Sequence, residues 1–581
     1  MTHSHTSHKI VPRRIHYRCR LEDARHDALA SVASVTVLST PNEVDPDDKP
    51  MPNPDIPPPS RPAPGTPKPG DPPGRPRPAD PPPAKPQPDS PRPVRPKSIY
   101  LYVILVLSIL GVFITSGAAA EQIDDDDILE AIAAELRYDE AVSSDLLDVK
   151  VNAGIVNLSG SHFTLLAKRR ASRLIGSLKG VRAIIDRTTV LPGGRADKRI
   201  ATDVRRTLQD DPATNEHDIH IEVADGRVTL TGNVDSFAES QLAEQSIAGV
   251  RDVAAIDNQL RISESAARPD SEIGNDIRRR FELNPFLAEG LIELEVKDAN
   301  VTLRGVVGSA NEKQLAEMLA YVRGVRDVDA KSLDVKWWLD RKRRRGALQA
   351  VRNDVDIQRA VRDALLYDPR VKGADITVRV RQAAVTLLGN VGSLSAKRAA
   401  ERDALNTLGV RRVINHLKVK VRDWPGDLAV TEQAQQTLAR DAHLFDSTLR
   451  ASSHFGKVYL SGTVATHFEK QRAEEVIANV PGALGVVNRL VVDAQWQPKP
   501  DGEIREDTTR RLHWSPIFED GQIEVRVDDG VTTLRGAVDT WQERRQAEHY
   551  AFQGGARRVA NKLAVRSDSN TNADLKALPS L

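Results

Sequence analysis

The chain has 581 residues, too many for one ordinary domain, and its 82 Lys and Arg balance 81 Asp and Glu, so a net charge of +1 gives no global pull toward nucleic acid. The one cysteine, Cys19, excludes any intrachain disulfide, and an exported chain would rest on core burial alone. Aromatic residues make up 4% of the chain, which suits small cores of Val, Leu, Ile and Ala better than a surface for stacking bases.

Residues 1–97 read as a disordered N-terminal region. From Pro50 to Pro96 proline recurs every second or third residue, a tract 50–96 poor in amide donors and without apolar periodicity, hence an extended spacer. Its PxxP steps also suit a partner groove, although such steps are inevitable at this proline density. His3, His5 and His8 lack further ligands and read as part of a floppy tail.

Residues 98–120 form the membrane candidate. No charged residue lies between Ile99 and Ala120, and 22 helical residues span roughly 33 Å, enough for a hydrocarbon core of about 30 Å. Arg92, Arg95 and Lys97 precede the segment, and Glu121 and Asp124 to Asp127 follow it. The positive-inside rule then expects a single-pass protein of a bacterial inner membrane, with a cytoplasmic N-terminus and a periplasmic remainder. The segment closes on Ala118-Ala119-Ala120, so cleavage near Ala120 and secretion to the periplasm is the alternative.

One phrase then returns six times, ending at Gly160, Gly232, Gly305, Gly389, Gly462 and Gly536, for example Val228-Thr-Leu-Thr-Gly232. The spacings are 72, 73, 84, 73 and 74 residues, a period that means repeated domains. Alternation such as Ile376-Thr-Val-Arg-Val380 followed by Val385-Thr-Leu387 predicts a hairpin in every copy. Upstream, Ile357, Val361, Ala364 and Leu365 share one face of a helix, and Pro212, Pro285, Pro369 and Pro516 mark where that helix stops. Downstream, Ser236/Glu239, Ser309/Glu312, Thr466/Glu469 and Thr540/Glu543 read as capping boxes opening a second helix. That helix runs to Gly249, Gly324 or Gly409, expected as left-handed caps before a final strand.

The order is helix, strand, strand, helix, strand, an α+β fold in which two helices cover one face of a three-stranded sheet. These marks, the V-x-L-x-G strand end, the second glycine and the element order, resemble the BON domain. The resemblance places six tandem BON-like modules at 122–191, 197–263, 270–336, 354–421, 428–493 and 501–566, with a basic Trp-containing linker at 337–353 and a tail at 567–581. Module 1 departs by lacking the capping box and by having Asp186 where others carry Asn258, Asn415, Asn488 or Asn561 before the last strand. Module 5 departs with Ala442 in place of the common proline.

The resemblance implies binding to membrane phospholipids or other envelope surfaces and support of envelope integrity under stress, by a protein similar to bacterial osmotically induced periplasmic proteins. A structural scaffold for periplasmic protein partners is the alternative, and no nucleic acid is expected. The local candidate for lipid contact is Trp337, Trp338, Arg341, Lys342, Arg343, Arg344 and Arg345, since indoles favour the interface and clustered cations attract anionic headgroups. The competing reading has these tryptophans, with Trp424 and Trp496 at similar positions, closing module cores. The six phrase-ending glycines read as backbone necessities. No recurring nucleophile, base and acid appears, no HExxH occurs after residue 121, and His443, His454, His467, His513 and His549 lack ligand spacing. No catalytic residue, metal or cofactor is therefore expected.

Overall fold

The computed structural model describes residues 123–565 apart from 216, 264–267, 288, 339–352 and 494–498. The proline-rich tract, the apolar segment 98–120, Trp496, the run Arg341 to Arg345 and the tail 567–581 lie outside the described residues.

Each of the six modules repeats the expected order. In module 4 a helix at Asp354–Tyr367 leads to strands Asp375–Arg381 and Ala384–Val391, then a helix at Leu394–Leu405 and a strand at Arg412–Val419. The first two strands pair antiparallel, and the last runs parallel beside the second, which is therefore central. A parallel neighbour needs a crossover, and the second helix supplies it. Val385, Leu387 and Val391 of the central strand meet Ile357, Val361 and Leu365 of the first helix. Ala396, Ala399, Ala400 and Ala404 let the second helix lie close on the same core. Six such clusters, one per module, hold most of the buried apolar side chains.

Three devices recur in every module. The first helix opens on an aspartate, at 125, 197, 270, 354, 427 and 501, whose carboxylate accepts two amides from the hairpin turn 28 and 29 residues later, at 2.6–3.0 Å. Both turn residues are left-handed, as in Gln382 at φ 51 and Ala383 at φ 57, the turn whose twist matches the flanking strands. The helix ends on Asp139, Asp211, Asn284, Asp368, Asp441 or Ser515, whose side chain accepts the amide two residues on. Each phrase-ending glycine has φ between 113 and 133, and an added Cβ would sit 1.9–2.6 Å from a carbonyl oxygen at the start of the first strand.

Three sequence expectations shift. The second-glycine cap is left-handed at Gly324 and Gly409, but in module 2 Asp252, at φ 64, takes that role and Gly249 does not. Asn258, Asn415, Asn488 and Asn561 lie within the last strand, not before it: each amide Nδ2 donates to a carbonyl of the second helix, and each Oδ1 accepts the amide two residues on. Asp186 and Asp329 keep only the acceptor half of this arrangement toward the chain ahead. The full capping box forms at Ser236/Glu239, whereas Glu312, Glu469 and Glu543 accept the amide one residue before the cap.

The modules also pack on one another in reverse order. The amides of Lys179, Arg251 and Leu408, each preceding the left-handed cap position, donate to the carbonyls of Trp514, Arg440 and Leu283, each the last residue of a first helix. Module 1 thus meets 6, module 2 meets 5, and module 4 meets 3. Within the halves, Arg169 binds Glu244 between modules 1 and 2, and Arg398 repeats this with Glu474 between modules 4 and 5. Ala442 is explained here: its amide donates to the carbonyl of Gly249 at 2.9 Å, a bond proline could not make.

Candidate functional site

The expected lipid-contact residues divide. Trp337 is buried, 9% exposed, with the Lys179 ammonium 5.7 Å from its ring, so it packs between modules 3 and 1 and does not face outward. Trp338 lies edge-on to it at 6.1 Å and is 38% exposed. Gly160, Gly232, Gly305, Gly389, Gly462 and Gly536 each hold the backbone at a strand crossing.

A different apolar surface forms at the hairpin end of module 5. Asp427 clasps the amides of Phe455 and Gly456, and the Leu484 amide donates to the Gly456 carbonyl at 2.7 Å. Trp424 Nε1 donates to the Gly482 carbonyl at 3.2 Å, so its indole is oriented from one edge. These bonds gather four side chains that remain exposed: Leu428 at 85%, Phe455 at 78%, Trp424 at 44% and Leu484 at 39%. Phe455 does this in the left-handed conformation, φ 49, which costs a large side chain energy. At the same turn position the other modules carry Ala153, Asp225, Asp298, Gln382 and Asp529. Several large apolar side chains left exposed at one end of a module mark a candidate contact site. The signal in sequence was the Phe itself, at a position otherwise filled by small or polar residues.

A cavity of about 260 Å³ opens where modules 2, 4 and 5 meet, lined by charged side chains from each. Arg440 Nη2 binds Asp210, Arg472 Nε donates to Asp441 Oδ2 at 2.9 Å, Arg398 binds Glu474, and Arg370 grips Asp368. Burial pushes the Asp368 carboxyl up, and the Arg370 guanidinium and backbone amide together outweigh it and hold it below its usual range. Asp403, buried beside Asp368, is pushed well up, by desolvation first and by the Asp368 charge second.

Among the described residues, one group has metal-ligand proximity: His217, Asp235 and Glu239 offer atoms within 4.8 Å of one another. The Lys372 ammonium of module 4 lies 2.6 Å from Asp235 and 3.8 Å from Glu239, and Glu239 caps its helix. A cation's charge is already supplied there, and the group reads as a lock between modules 2 and 4.

A family model described as BON domain matches six stretches: 124–192, 196–264, 269–336, 353–421, 426–494 and 500–567. Osmotically-inducible protein Y of Escherichia coli is 31% identical over 144 residues, 24% of this chain and 72% of that protein. The C-terminal domain of CdsD, a structural protein of the type III secretion system of Chlamydia trachomatis, overlays with 14% identity and a TM-score of 0.11, covering 36% of this chain and 96% of that one. A second CdsD structure overlays with 13% identity and a TM-score of 0.11, covering 35% and 90%. Overlays this distant carry no argument about function.

Proposed function

Because the chain belongs to the BON domain family and carries six of its modules, we propose that it is a non-enzymatic protein of the bacterial cell envelope that contacts phospholipid surfaces and supports envelope integrity under stress. The similarity to a protein named for osmotic induction supports the stress role. The observation that carries the lipid reading is the module 5 end, where Trp424, Leu428, Phe455 and Leu484 are left exposed. Indole and leucine enter the interfacial layer favourably, at about 25 cal/mol per Å² of apolar surface removed from water. The run Arg341 to Arg345 adds an electrostatic, salt-sensitive component of about 1 kcal/mol per cation near an anionic surface. The segment 98–120 anchors the chain in the inner membrane with the modules in the periplasm, or is removed near Ala120 to release them there. Tethering lets weak contacts of one chain add.

The test is co-sedimentation of the full chain with phosphatidylglycerol liposomes. Binding that falls with salt is expected, weakened about tenfold by Phe455→Asp with Leu428→Asp. Absence of sedimentation at low salt would overturn the reading. The second reading is a scaffold for protein partners, since the exposed Leu428 and Phe455 suit an apolar protein surface as well as a lipid one. Cross-linking of native membranes would then return protein neighbours while liposomes return nothing.

A further inference from the structure

We infer that the outward sheet face of module 4 is a docking surface for an anionic bilayer; this rests on the phospholipid reading proposed above and adds the face that meets the headgroups. Strand alternation sends Val385, Leu387 and Val391 into the core, so the residues between them face away from it. On that outward face the register sets Arg381, Ala384 and Arg412 in one row across the three strands, and Arg379, Thr386 and Ile414 in the next. Lys418 lies further along the last strand, opposite Asn390, and Lys420 follows just past its end. Arg379, Arg381, Arg412, Lys418 and Lys420 are all exposed, and none makes a side-chain hydrogen bond or ion pair among the described residues.

Neighbouring strands lie about 4.8 Å apart and alternate residues of one strand about 7 Å, so the three arginines spring from backbone positions within roughly 12 Å of one another. The central strand between them presents only uncharged side chains, Ala384, Thr386, Leu388 and Asn390. The acid of this face, Asp375, stands at the end away from the arginines, in the row of Asn390 and Lys418. The fold does not ask for these cations. At the positions of Arg379 and Arg412, module 3 carries Glu295 and Asp327, and module 2 carries Glu222 and Ala255, in the same register. Like charges gathered on one face repel each other, and a plane of anions converts that repulsion into attraction.

The surroundings favour a bilayer over a soluble polyanion. The face carries no Phe, Tyr or Trp on which bases could stack. From Lys420 the chain reaches Trp424 in four residues, at most about 14 Å, with Arg422 offset by Asp423 on the way. The cations thus lead into Trp424 and Leu428, the exposed apolar side chains of module 5. Apolar groups beside clustered cations suit an anionic leaflet, where the first enter the interface and the second hold headgroups. A soluble polyanion would engage the cations and leave the apolar groups in water.

The test is footprinting of the full chain on vesicles of phosphatidylcholine alone or of phosphatidylcholine mixed with phosphatidylglycerol, using a membrane-impermeant acetylating reagent for lysines and hydroxyl radicals for Trp424. Phosphatidylglycerol should slow acetylation of Lys418 and Lys420 about fivefold, while Lys297, exposed on the equivalent face of module 3, reacts as before. High salt should restore the rate, because the screening length falls to about 3 Å at 1 M. Arg379→Gln, Arg381→Gln and Arg412→Gln together should abolish the protection; all three positions are exposed, and circular dichroism checks that the fold is kept. Protection of Trp424 with Lys418 and Lys420 still reactive overturns this inference and leaves the phospholipid reading standing, whereas protection of neither overturns both. Protection of the lysines by soluble polyphosphate but not by phosphatidylglycerol, or protection that persists in the triple variant, also overturns it.

Discussion

Each module has an internal frame and a face that meets other modules, and they are built on different rules. In the frame all six modules use one solution: an aspartate opening the first helix clasps two amides of a left-handed turn, and at the opposite end of the hairpin a glycine crosses a carbonyl. Where modules meet, equivalent backbone positions are kept but the side chains differ. Arg511 pairs with Glu135 between modules 6 and 1, Arg440 with Asp210 between 5 and 2, and Arg280 lies over Tyr367 between 3 and 4. Repetition carries the fold of a module, and divergence decides which module it meets. Identical faces would give every module five equal partners in its own chain, whereas differing faces make wrong pairings leave buried charge uncompensated.

Loss of a buried pair at a meeting face should destabilise the chain most. Arg511 and Glu135 are 3% and 10% exposed in their side chains, and burial raises the Glu135 pKa against the pull of Arg511. Arg511→Met should therefore cost about 3–5 kcal/mol, felt as lost hydrogen-exchange protection in helices 125–137 and 501–514 together. The double replacement with Glu135→Leu should recover most of it. Gly389→Ala should cost about 3 kcal/mol, since its Cβ would meet the Asp375 carbonyl at 1.9 Å, and exchange should rise in module 4 alone. Asp270→Ala removes two charge-assisted bonds to the module 3 turn and should cost about 2 kcal/mol there. Its contacts with module 4 should persist, and a loss of protection in module 4 would show that frame and meeting face are not independent.

A milder change is expected inside module 1. His162 is 1% exposed with both ring nitrogens unpartnered, where the other modules place Val234, Val307, Val391, Val464 and Val538. Burial first depresses its pKa below 6.5, with Asp186 opposing and Lys168 reinforcing. The unfolded ring binds a proton at higher pH than the folded one, so stability present above about 6.5 is lost as pH falls, by at most about 1.4 kcal/mol per unit. Thermal unfolding from pH 7.5 to 5 should show this slope in the module 1 signal, and His162→Val should flatten it.

Much of the module was legible because local rules agree with the fold. Alternation marked the hairpins, Ser236 and Thr540 marked helix starts, and the phrase-ending glycines announced a backbone constraint. The aspartate clasp was visible as an Asp 28 residues before each turn, but an acidic residue at a helix start already satisfies the helix dipole and hides a longer reach. The meeting faces were not legible, because each uses residues that only one module carries. Ala442 looked like a lapse from the proline pattern until its amide was seen on Gly249. Trp424 looked like a core-closing residue, yet only its indole nitrogen is held while its ring stays 44% exposed.

The reversed pairing of modules has a consequence for how such a chain can be made. Modules 3 and 4 are neighbours in sequence and can close as soon as both emerge, with 2 and 5 next, and module 1 must wait for module 6, whose Arg511 answers Glu135. Of the six modules the first is therefore the last to find its partner, and without module 6 its Glu135 would have no counter-charge and the face around it would stand open.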